Sequence, residues 1–114
     1  MDTSRKQEEE MSTPILLLVK TVISNQYAQE FNEWYHDIHI PDVVKVSGCT
    51  QARRFKAIES EDKFIYMAAY EFADKEIYNR YQQNEERKRL LADFAEKYGD
   101  KAEVKKSVWE LIYP

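Results

Sequence analysis

The sequence predicts an α+β domain of order β-α-β-β-α-β, with both helices packed on one face of an antiparallel sheet. Three observations carry this. Ile15–Ile23 is apolar on both faces and rich in β-branched residues, as a strand should be. Ala28, Phe31, Trp34, Tyr35 and Ile38 recur at helical spacing. Two further strand patterns then precede a second helical stretch and a final strand.

Ser24 and Asn25 offer the N-cap of the first helix. Ile40 precedes Pro41, which disfavours the α region, so the helix should end or kink there. Pro41 suits the start of a short helix over Asp42 to Val46, closed by Gly48. Cys49–Ile58 and Lys63–Phe72 read as strands joined by the polar turn Glu59 to Asp62. Asp74 caps a long helix to about Tyr98, with Ile77, Tyr81, Leu91 and Phe94 on its inner face and Gly99 as its stop. Val104–Tyr113 is the last strand. This order is the ferredoxin-like arrangement.

Length and composition bound the rest. A chain of 114 residues is one domain, here residues 14–114, behind a charged tail over residues 1–13. Met11 offers an alternative start. The apolar fraction is 43% and the aromatic fraction 13%, a globular composition. The net charge is −4, so no basic surface favours nucleic acid. The one cysteine, Cys49, cannot form an internal disulfide, which fits a reducing compartment. The longest apolar run is too short for a bilayer and the N-terminus lacks a signal-peptide core. The expectation is a cytoplasmic protein without membrane or nucleic-acid partners.

Alternation also speaks to assembly. Phe64, Tyr66, Ala68 and Tyr70 face one side of the third strand, while Ile65, Met67 and Ala69 face the other. Two helices cover only one sheet face, so the other apolar face needs a cover. A second copy of the chain, as an isologous homodimer, is the simplest.

The chemistry concentrates between Phe31 and Phe55. His39 falls beside Tyr35 at the border of the apolar stripe, whereas His36 points to solvent. His39 reads either as a border histidine satisfied by a backbone carbonyl near Pro41, or as a general acid or base. Trp34 and Tyr35 suit the core, and Asp42 suits a helix start or a partner that orients His39. On the second strand, Thr50, Ala52, Arg54 and Lys56 share one face; Gln51, Arg53, Phe55 and Ala57 share the other. Phe55 is expected in the core. A partly buried arginine needs an anion, with Glu71 and Glu110 as internal candidates. His36, His39, Glu33 and Asp42 do not form a coherent metal set, since Pro41 breaks their register. Two glycines exclude a phosphate-binding loop. The charged run Glu85 to Arg89 reads as a solvated helix face with ion pairs.

The segment Trp34-Tyr35-His36-Asp37-Ile38-His39-Ile40-Pro41-Asp42 resembles the Trp-Tyr-x-x-x-His-x-Pro-Asp motif of EthD-like proteins, in the dimeric α+β barrel superfamily. That resemblance implies the same ferredoxin-like fold, a barrel dimer, and a pocket for a small apolar or aromatic ligand such as a polyketide, lactone or phenolic metabolite. It places His39 at the motif's histidine. The expectation is a cofactor-independent enzyme of isomerase, cyclase or oxygenase type. His39, Tyr35 and Asp42 would be catalytic; Trp34, Phe31, Tyr66 and Arg54 would contact the ligand. No cofactor or metal is expected. The alternative is a non-catalytic metabolite-binding or accessory protein.

Overall fold

The first strand, β1 (Ile15–Ile23), alternates buried and half-buried along its whole length. It is central in a four-stranded antiparallel sheet of order β2-β3-β1-β4, where β2 is Gln51–Lys56, β3 is Tyr66–Phe72 and β4 is Ala102–Glu110. The computed structural model describes residues 13–113. The expected tail thus lies, but for its last residue, outside the described residues. Between the strands run α1 (Asn25–Trp34), α2 (Ile40–Ser47), α3 (Lys75–Gln82) and α4 (Glu85–Tyr98). All pack on one sheet face, and the fold is ferredoxin-like.

Register fixes which residues share a face. One cross-sheet row on the helix side reads Arg54, Ala68, Val19, Lys106, and its neighbour reads Ala52, Tyr70, Leu17, Val108. The core sits above these rows. Phe31, Tyr35, Phe72 and Leu90 are almost fully buried there. Phe31 meets Tyr35 and Tyr98 edge-on, with centroids 5.3 and 5.0 Å apart, a geometry that adds to their area burial.

Several details differ from the sequence reading. The first helix does not break before Pro41. It passes through one π-helical turn, Tyr35–His39, and Ile40 stays α-helical at φ −60°, ψ −49°. Ile40 N–H bonds the carbonyl of Tyr35, five residues back, so the register slips by one residue. Pro41 then falls in the first turn of α2, where its missing donor is harmless. The same slip rotates Ile38 outward to 50% exposure and His39 inward to 9%. Gly48 closes α2 in the left-handed region, at φ 70°, as its sequence position implies.

The expected long second helix is two. Asn84 stops the first and caps α4 by accepting from Glu86 N–H at 2.7 Å. The break turns Leu90 inward and leaves Leu91 partly exposed. Asp74 does cap α3, accepting from Ile77 N–H at 3.0 Å. The strands also shift at their ends: β2 is shorter at both, β3 starts three residues late but ends at Phe72 as expected, and β4 runs two residues earlier at its start and three at its end.

Phe55 is a further correction. It lies on the face opposite the helices, 46% exposed, beside Arg53 and Met67. That face also carries Leu16, Leu18, Ala69 and, on β4, Trp109 at 58% exposure. Another concerns Arg54, whose partners are described below. Among the described residues no helix is long and apolar enough to cross a membrane.

Candidate functional site

A cavity of about 460 Å³ lies between the sheet and the helices, a size that suits a small metabolite. Leu17 and Val19 form its floor, Tyr35 and Tyr70 one wall, and Leu90 and Phe94 of α4 the roof. Val104, Lys106 and Val108 line it from β4. The two valines are 37% and 47% exposed although they face the helix side, so the cavity opens along β4.

His39 stands at the edge of this cavity. It also borders a second, polar cavity of about 620 Å³ with Asp42, Asp93 and Glu96 on its rim. The imidazole stacks on Trp34, with centroids 4.9 Å apart and planes 22° apart, and meets Tyr35 edge-on at 4.8 Å. Burial pulls its pKa from 6.5 to about 4; Asp42 and Asp93 oppose this, while Lys106 and Arg54 reinforce it. At neutral pH the ring is uncharged. The helix runs on through the π turn, and no backbone carbonyl accepts a hydrogen bond from the His39 ring among the described residues. Neither ring nitrogen of His39 bonds a protein group among the described residues.

The tyrosines surround the cavity with hydroxyls held in their neutral form. Burial raises the pKa of Tyr35, and of Tyr81 as well. Tyr70 is pushed well above the ordinary tyrosine value, first by burial and then by its proximity to Tyr35. The two hydroxyls influence each other without meeting in bonding geometry. The Tyr70 hydroxyl is buried and has no hydrogen-bond partner.

Arg54 does not find a carboxylate. It donates from Nη1 to Asn32 Oδ1 at 2.7 Å and lies 3.1 Å from His36 Nε2. Its guanidinium centre sits 4.2 Å from the Tyr35 ring centroid, 5.3 Å from Tyr66 and 5.5 Å from Phe31. Aromatic faces therefore do the work expected of Glu71 or Glu110. Glu71 lies on the opposite sheet face, where Thr50 Oγ1 approaches it at 3.4 Å. His36 is exposed, yet it serves as a partner of Arg54 rather than a free surface group.

The structure thus divides the expected site. His39 and Tyr35 line the inner cavity; Trp34, Asp42 and His39 line the outer one. Phe31, Tyr66 and Arg54 form a layer behind Tyr35 and line neither. Tyr70, Tyr78, Tyr81, Arg87 and Lys106 line the inner cavity and were not singled out from sequence. Tyr70 carried a readable signal, since it shares the helix-facing side of β3 with Ala68. Arg87 carried none, being one charge in a run of charges.

A ferredoxin-like domain with a ligand-sized cavity under its helices is the class this geometry defines. The chain belongs to the DUF4286 family, a domain of unknown function, whose model matches residues 14–112. No curated protein matches it in sequence. An ethyl tert-butyl ether D (EthD) family protein from Bacillus halodurans is similar in structure, with TM-score 0.62 and 19% identity over 83% of this chain and 96% of the other. SnoaB from Streptomyces nogalater, a cofactor-independent oxygenase, gives TM-score 0.65 and 8% identity over 90% and 96%. A DABB family protein of ferredoxin-like fold from Mesorhizobium loti gives TM-score 0.58 and 17% identity over 90% and 98%. The EthD-like resemblance read in the Trp34–Asp42 segment is therefore matched by the fold.

Proposed function

We propose that the chain binds a small aromatic or alicyclic metabolite in the inner cavity, and that His39 moves a proton on it without a cofactor. The observation carrying this reading is an uncharged, buried imidazole at the edge of a cavity about 460 Å³ in volume. A neutral imidazole accepts a proton; the imidazolium formed would be stabilised by Asp42 and Asp93 from the outer side. The electron pair left on the ligand would rest on an oxygen facing the unpartnered Tyr70 hydroxyl. Proton removal of this kind can open isomerase, cyclase or oxygenase chemistry, and the likeness to a cofactor-independent oxygenase supports it at the level of fold. Two copies would pack through the open sheet face.

A second reading, a metabolite-binding protein without catalysis, has one observation in its favour. No protein group fixes the tautomer of His39, as a dedicated base usually requires. Deuterium uptake separates the two. Phenolic and lactone compounds that raise the thermal midpoint are incubated with the protein in heavy water and followed by NMR. The catalytic reading expects accelerated exchange at one ligand C–H, lost in His39→Gln while binding persists. Binding without exchange leaves the second reading standing, and no binding at all removes both.

A further inference from the structure

Two cations face the inner cavity from different elements. Arg87 projects from the first turn of α4 and Lys106 from β4. Neither forms an ion pair among the described residues, although Arg87 is flanked by acidic residues in sequence. Glu85 is taken by Lys88 and Glu86 by Arg89, at 3.1 and 3.0 Å. Arg87 instead lies over the Tyr81 ring at 5.7 Å and is half-buried. A half-buried guanidinium without a counter-charge, lining the same cavity as an exposed ammonium, is complementary to an anion.

We propose that Arg87 and Lys106 are an anion clamp at the mouth of the inner cavity, whose ligand is an aromatic or alicyclic molecule carrying one acidic group. This rests on the cavity being a ligand site and adds the chemical class of the ligand. The body of the ligand fills the space among Leu17, Tyr70, Leu90 and Phe94, and its carboxylate or equivalent spans the two cations. Burial and the nearby Arg87 both depress the pKa of Lys106. Both side chains line the same cavity, one from α4 and one from β4, so an anion at its mouth would meet both charges. The cluster is asymmetric: the carboxylates Asp42 and Asp93 lie on the outer side of His39, the cations on the inner side. A bound anion would therefore be oriented with its acidic group towards β4, and with its body beside His39.

The test uses two fluorescent probes with the same aromatic body. 8-Anilinonaphthalene-1-sulfonate carries an anion; N-phenyl-1-naphthylamine lacks it. The sulfonate should bind the full-length protein at least about tenfold more tightly at low salt, a preference that added salt reduces. Arg87→Gln and Lys106→Gln should each erode that preference and leave binding of the neutral probe unchanged, which also certifies the fold. Lys105→Gln, on the opposite sheet face, should have no effect. Equal affinity for both probes overturns the clamp while sparing the pocket. A preference that survives both substitutions, or that follows Lys105, overturns it too. Failure of both probes to bind removes the pocket reading and the clamp with it.

Discussion

The imidazole of His39 lies face to face on the indole of Trp34, centroids 4.9 Å apart, and this contact makes the protonation of His39 observable. The histidine is neutral down to about pH 4 in the folded chain and titrates near 6.5 when unfolded. The unfolded state therefore binds more protons between those values, and stability must fall as pH drops from about 6.5 to about 4. The loss approaches about 3 kcal/mol if the full shift applies. Urea unfolding of wild type at pH 7, 5.5 and 4.5 should show the decline, and His39→Gln should flatten it. In a Trp109→Phe background, Trp34 fluorescence should change with a midpoint near 4 rather than 6.5. A midpoint at 6.5 would show that His39 is solvated.

How much of this was legible in the sequence depends on whether a pattern was local. The strand order, the Asp74 cap and the Gly48 stop follow from spacing and turn chemistry, and the structure contains all three. The placing of His39 near the pocket was legible only in part. Wheel geometry put it at the edge of the stripe with Ile38 inside, but the π turn exchanges them. That turn is invisible in the sequence because Pro41 signals a break, and a slipped register is simply another way to absorb a missing donor. Phe55 was misplaced because an aromatic residue on an edge strand suits either face. Arg87 and Lys106 meet only through the tertiary fold.

Arg54 should not tolerate lysine. Its guanidinium centre lies 4.2 Å from the Tyr35 ring centroid while Nη1 bonds Asn32 and contacts His36. A lysine could keep the polar contacts but not the planar, delocalised cation beside the rings. Arg54→Lys should cost roughly 1–3 kcal/mol in chemical denaturation. His36→Ala should cost less, because that contact is exposed. In a double-mutant cycle the two should couple, since they share a contact. Full additivity would show that the His36 contact carries no energy.

The open sheet face predicts a clean contrast between adjacent residues. Ala69 points to that face beside Leu18 and Arg53, whereas Ala68 points into the core at 1% exposure. Ala69→Asp should yield a folded monomer, because the charge disrupts only the surface that two copies would share. Ala68→Asp should unfold the chain. Sedimentation at micromolar concentration with circular dichroism reads both outcomes. A wild-type protein already monomeric under those conditions would remove the dimer.

Tyr70 offers the most discriminating substitution because its two expected effects have opposite signs. Its hydroxyl is buried and approaches the Tyr35 hydroxyl only outside good bonding geometry, so in the empty protein its desolvation cost is poorly offset. Tyr70→Phe keeps the ring, which is 2% exposed, and removes only the unsatisfied group. The free protein should therefore gain up to about 1 kcal/mol of stability. If a ligand oxygen completes that hydrogen bond, the same substitution should weaken ligand binding by about tenfold. A variant that is less stable when empty would mean the hydroxyl has an internal partner in solution. One that binds ligand as well as wild type does would place the ligand oxygen elsewhere, and the oxyanion role of Tyr70 would then be lost.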